Sequence, residues 1–151
     1  MQDMEIVPNR FFSNATRFIE AYHQVLQPLC RESGLPSPAV DILLFAANNP
    51  EYAMAKNICK YRGMKPSIVS VHVERLVGEG YLQRQGMPND RRQTLLVCTE
   101  KAQPMVARGR ELQKRFAERL RMRMSDADLE ALRKATLQLD SNIEEIRKNG
   151  L

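Results

Sequence analysis

The chain has 151 residues, three cysteines and a net charge of +5, with a pI near 9.3. That length fits one domain, or one domain with an attached helical part, and the basic balance favours an anionic partner, nucleic acid before membrane. No apolar run approaches a membrane span or a signal peptide. Cys30, Cys59 and Cys98 form no CxxC pair, and with His23 and His72 they offer no metal-ligand spacing, so a cytoplasmic chain with reduced thiols, no metal and no cofactor is expected.

In chain order, apolar residues at helical spacing (Phe11, Ala15, Phe18, Ile19, Tyr22, Leu26, Leu29) predict a first helix from about Arg10 to Glu32, closed by Ser33-Gly34. Ser37 then reads as an N-cap, with Pro38 at the first helical position. The body that follows, Val40 to Ala47, is apolar nearly all round, which means burial, and Asn48-Asn49-Pro50 stops it. A short helix spans about Ala53 to Tyr61, broken by Gly63, and a fourth begins near Lys65-Pro66-Ser67 and ends at Gly78-Glu79-Gly80. Tyr81 to Gln85 and Gln93 to Cys98 predict two strands around a charged tip. Thr99 is expected to cap a long helix running to about Met124, with room for a slight kink at Pro104. Ser125, with Asp128 three residues on, signals a capping box for a last helix.

In that last helix Leu129, Leu132, Thr136, Leu139, Ile143 and Ile146 recur by threes and fours, a heptad-like seam. Met105, Gly109, Leu112, Phe116 and Leu120 follow a similar rhythm in the helix before it. Intramolecular packing is one reading of these stripes. A dimer interface made with the first helix is the other, and it is preferred because long terminal helices in so small a chain have little else to cover them.

The fourth helix has two unlike sides. Val69, Val73, Leu76 and Val77 form a core stripe, whereas Ser67, Ser70, Val71 and Glu74 make a front of small or polar side chains. A buried rear and a slim front suit a helix that enters a DNA major groove. An ordinary amphipathic surface helix would look the same. The hairpin that follows shifts the balance, because Arg91 and Arg92 at its tip would be drawn to a narrow minor groove. Asp90, two residues before Arg92, is expected to hold its guanidinium. The bland alternative is a solvated turn whose charges prevent edge pairing. From Lys60 to Arg92 there are seven cations and three carboxylates, so nearly all of the net charge sits in about a fifth of the chain. A second basic run, Arg108 to Arg123, reads mainly as a solvated face.

The run from Met64-Lys65-Pro66-Ser67 through Gly80-Tyr81-Leu82, followed by Asp90-Arg91-Arg92 and Leu95 to Lys101, resembles the MarR-type winged helix-turn-helix regulators. The resemblance implies a mainly α fold with a small β wing. It divides the chain into a DNA-binding lobe over about 36–99 and helical dimerisation regions over about 8–33 and 100–149. It implies a homodimeric bacterial transcription regulator, a repressor in the first instance, on a pseudo-palindromic operator of double-stranded DNA. By position, Lys65, Pro66, Ser67, Ser70 and Val71 would face the DNA, with Arg75 and Arg84 as phosphate contacts and Asp90, Arg91 and Arg92 as the wing. The sequence departs from the family pattern in three places. Met54 and Asn57 stand where a Thr or Ser cap and an acidic residue are usual, His72 replaces an aliphatic residue, and Val71 replaces a polar one and is suited to a thymine methyl.

Family members often bind small aromatic or anionic effectors between the dimer helices and the DNA-binding lobe, and others sense oxidants through cysteine. Phe12, Tyr22, His23 and Phe45 would be the matching aromatic cluster here, though they fit a plain core as well. Cys30 is the one reasonable thiol candidate, since Cys59 and Cys98 fall at predicted structural contacts. Two other functions fit the sequence less well. A winged-helix module that binds protein should expose more aromatics, and an enzyme should show a nucleophile–base set, a phosphate loop or a carboxylate pair, none of which the sequence offers.

Overall fold

The computed structural model describes residues 8–151; residues 1–7, and the Phe11 side chain of the expected apolar face, lie outside the description. The order is α1 (Pro8–Val25), α2 (Gln27–Ser33), α3 (Ser37–Asn48), α4 (Ala55–Arg62), α5 (Pro66–Gly78), β1 (Leu82–Met87), β2 (Asp90–Cys98), a 3-10 turn (Glu100–Ala102), α6 (Gln103–Leu120) and α7 (Asp126–Asn149). This is the mainly helical, winged architecture the sequence predicts.

The expected first helix is two. Pro28 has no N–H for the carbonyl one turn back, and its ring crowds that carbonyl. The chain therefore tightens at Leu26, whose carbonyl accepts from Leu29 N–H at 3.0 Å. Gly34, left-handed at φ 73°, closes α2 as foreseen. Ser37 is not the cap of α3. Pro36 holds that position with extended geometry, and its carbonyl accepts the first helical bonds from Ala39 and Val40.

Every residue of α3 from Ala39 to Ala46 is buried. Around it gather Leu26, Leu29, Leu35, Ile58, Val69, Leu76, Leu82, Leu96 and Val106. At about 25 cal/mol per Å² of apolar surface, this cluster is the main source of stability. α4 begins at Ala55 behind Met54, which supplies no side-chain cap. Asn57 instead turns its amide to the Tyr52 carbonyl at 2.8 Å.

Two compact units divide the chain, one ending at Phe116 and one running Ala117–Leu151. In the first, Met105 and Leu112 of α6 pack on the core. Gly109 is there because a Cβ at that position would overlap Leu44 Cδ2 of α3. For this part of α6 the intramolecular reading of the stripe holds. Thr99 does not cap a long helix. Its hydroxyl donates instead to the Gly80 carbonyl at 2.6 Å, and a 3-10 turn precedes α6. Pro104 falls in the first turn of α6, where a missing N–H costs nothing. α6 ends at Leu120 rather than Met124, in a turn where Arg123 is left-handed at φ 66°.

In the second unit, Ser125 Oγ accepts from Asp128 N–H at 3.1 Å, and Asp128 Oδ2 accepts from Ser125 N–H at 2.9 Å. The capping box is complete. α7 has no buried residue at all, and its seam residues Leu132, Leu139, Ile143 and Ile146 are exposed.

Candidate nucleic-acid interface

The rear of α5 is fixed by Val69, Val73 and Leu76, all buried. Its front carries Lys65, Pro66, Ser67, Ser70, Val71 and Glu74, all exposed, and Val71 is 64% exposed. Lys65 is the N-cap residue and Pro66 opens the helix, with no side chain capping the first-turn N–H groups. Those donors and the helix dipole favour an anion ahead of them. Ile68, also exposed, was not singled out from the sequence. His72 is half-buried and makes no side-chain hydrogen bond among the described residues; burial, then the Arg75 charge, pushes its pKa down.

The wing is anchored at its base by the Thr-Glu-Lys segment. Besides the Thr99 bond, Lys101 Nζ donates to the Glu79 carbonyl at 2.6 Å, so both residues satisfy carbonyls that α5 leaves open at its end. Leu96 N–H donates to the Ala53 carbonyl at 2.7 Å and ties β2 to the α3–α4 turn. The strands are longer than predicted and leave only Pro88-Asn89 between them. Their register slips at the outer end: Gly86 pairs with Thr94 but Met87 pairs with Asp90. Arg91, Arg92 and Gln93 therefore form a bulge on β2 rather than the hairpin tip. Such a bulge twists a ribbon and re-aims its side chains.

Asp90 does not hold the Arg92 guanidinium. Its Oδ1 accepts the Arg92 backbone N–H at 2.9 Å, an Asx turn that shapes the bulge. The two proposed phosphate cations are also engaged within the chain. Arg75 donates to the Gly34 carbonyl at 2.8 Å and to Glu79 at 3.1 Å, while Arg84 Nη2 meets Glu74 Oε2 at 2.8 Å. Arg91 and Arg92 are exposed. Lys56 of α4, missed in the sequence, lines a cleft of about 500 Å³ with Ser70, Arg84 and Thr94.

A second cavity, of about 720 Å³, lies among α1, α3, α4, the start of α5 and α6. Of the four residues expected at an effector site, Tyr22 and His23 line it and Phe12 and Phe45 do not. Phe12 is exposed. Phe45 is buried behind the wall, stacked on Tyr61 with ring centroids 6.3 Å apart, and carries the Arg62 guanidinium 5.2 Å above its ring. Phe18, Ile19, Met64, Ile68 and Phe116 complete the apolar lining.

Besides His23 and the tyrosine hydroxyls, the polar groups of the cavity are Asp41, Arg62 and Gln113. Asp41 is buried and accepts from Arg62 Nε at 3.1 Å; among the described residues the terminal guanidinium nitrogens have no partner. Gln113 donates to Tyr22 Oη at 2.8 Å. Burial, reinforced by the Asp41 charge, pushes the Tyr22 phenol up to about 12, so it is a neutral hydroxyl at physiological pH. No short sequence pattern joins these residues, which come from four helices.

Cys30 is half-buried against the core, and burial pushes its thiol pKa up. A redox sensor needs the opposite shift. Among the described residues no group of side chains could hold a metal, and no helix is long and apolar enough to cross a membrane.

Residues 33–93 match the model of the MarR family. None of the curated proteins matches the chain. Its fold is that of solved MarR-type structures. A MarR family transcriptional regulator from Listeria monocytogenes complexed with a 26-mer DNA superposes with a TM-score of 0.75 at 14% identity, over 93% of this chain and 95% of the other. CouR from Rhodococcus jostii RHA1 bound to p-coumaroyl-CoA gives 0.70 at 19%, over 92% and 95%. A MarR transcriptional regulator from Methanosarcina mazei Go1 gives 0.70 at 17%, over 95% and 93%.

Proposed function

We propose, for a chain whose residues 33–93 match the MarR family model, a cytoplasmic, homodimeric transcription regulator of MarR type that represses by binding a pseudo-palindromic operator. The observation that carries this reading is the pairing of a slim exposed front on α5 with the arginine-bearing bulge of the wing. α5 would enter the major groove, with Ser70 and Val71 against base edges. Arg91 and Arg92 would reach the flanking minor groove, whose narrow form concentrates negative potential. The solved relative from Listeria monocytogenes, complexed with DNA, supports the same use of the fold.

Two copies are needed to read a palindrome, and the exposed apolar faces of α1 and α7 supply the surface for pairing. Phe18 and Ile19 on α1, and the α7 seam, are each about half exposed. The 720 Å³ cavity is of a size that holds a small molecule. Its aromatic wall and the Arg62 guanidinium suit an aromatic, anionic effector that relieves repression, and the relative bound to p-coumaroyl-CoA supports an effector in this fold.

Titration of the full chain against duplex DNA at several salt concentrations tests the reading. Affinity should fall steeply with salt, because each neutralised phosphate contributes a slope of about −0.9 in log K against log salt. Arg92→Ala should weaken binding to every sequence, whereas Val71→Ala should change base preference. Indifference of the wild-type chain to duplexes at low salt would end the proposal.

A further inference from the structure

Glu74 is the one carboxylate on the front of α5, and its place is unexpected for a surface that meets phosphates. Its side chain is 74% exposed, yet it is not alone, since Arg84 of β1 reaches across from the wing to bond Oε2. Arg84 pairs with Leu96 in the ladder and lines the cleft beside Ser70, one turn before Glu74. The strand thus delivers a cation to the only anion that α5 would carry into a groove. Among the described residues Glu74 Oε1 has no partner.

We infer that Glu74 is a base-reading residue and that Arg84 is its positioning residue, neutralising the carboxylate and fixing Oε2 so that Oε1 accepts a hydrogen bond from the cytosine amino group. This rests on the DNA-binding reading above. The base follows from the chemistry of a carboxylate, which can only accept. Cytosine presents an amino donor in the major groove, guanine presents two acceptors, thymine presents a carbonyl and a methyl, and adenine sets an acceptor beside its donor. Arg84 is thereby removed from the phosphate contacts and given a different task. Without it, Glu74 would meet the phosphates as an unscreened like charge.

The experiment is a selection from a randomised duplex library with the full-length wild type, E74A, E74Q, R84A and the E74A/R84A double variant, followed by titration on the selected and on random-sequence duplexes. The wild type should select a cytosine in each half-site. E74A should lose preference there by roughly tenfold to a hundredfold, and E74Q should shift it towards adenine, which an amide can bind through both donor and acceptor. R84A should weaken binding to random duplexes by about tenfold or more, and the double variant should recover most of that loss. If E74A selects the same site as the wild type, the base-reading role is wrong. If the double variant stays as weak as R84A, with a salt slope lower by about one per subunit, Arg84 is a phosphate contact and its positioning role is wrong. A wild type that selects no sequence overturns the DNA-binding reading itself, and this inference with it.

Discussion

Helices α5 and α7 carry the same kind of pattern, an apolar stripe at threes and fours beside a polar face, and the structure treats them differently. In α5 the stripe is covered by α3, α4 and the wing, and Val69 and Leu76 have no exposed surface. In α7 no residue is buried, and Ile143 and Ile146 remain half exposed. Periodicity tells which side of a helix needs burial, but not who provides it. Where the chain itself closes the stripe, the opposite side becomes a rigid presentation surface. Where it does not, the stripe stays exposed, and in the proposed dimer a second copy would cover it.

The contrast is sharpest in truncations of equal size. Leu43→Ala, in wholly buried α3, should cost about 2–5 kcal/mol in urea unfolding. Because its neighbours come from the same chain, the cost should not vary with protein concentration. Ile143→Ala should act on association instead, weakening the dimer by about tenfold or more in sedimentation, with the loss in melting temperature shrinking as protein concentration rises. Should Ile143→Ala destabilise at all concentrations alike, or leave association unchanged, α7 belongs with α5 and the distinction fails.

The same division separates what the sequence revealed from what it hid. The core face of α5, the stop at Gly34 and the capping box were legible because each depends on residues close in sequence, stepping by one helical turn or less. Pro28 was also in plain view, but the apolar rhythm runs straight through it, so one helix was expected where its missing N–H makes two. The wing failed on a subtler point. Asp90, Arg91 and Arg92 were identified by type, but a carboxylate two residues from an arginine can serve its guanidinium or its backbone. The register slip between Gly86 and Met87 decides for the backbone. The cavity was the least legible, since Asp41, Arg62 and Gln113 are brought together only by tertiary packing. Asp41 in particular sits in an apolar run and looks like an interruption until Arg62 is seen beside it.

The smallest effect belongs to the start of α7, where stability is local and can be titrated. Asp128 Oδ2 accepts the Ser125 backbone N–H, and that bond holds the carboxyl below its ordinary pKa. A group depressed in the folded state stabilises above its unfolded pKa of about 3.9, and that stabilisation is lost as pH falls through the lower folded value. Asp128→Asn keeps an acceptor at the same place but cannot titrate. The wild type should therefore be the more stable of the two at neutral pH and lose that lead on acidification below about pH 4, read as helix content and melting temperature by circular dichroism. Parallel acid profiles for the two proteins would mean that the carboxyl's charge adds nothing to the cap. The capping box would then matter only for the geometry of its bonds, and the helix dipole would contribute nothing measurable there.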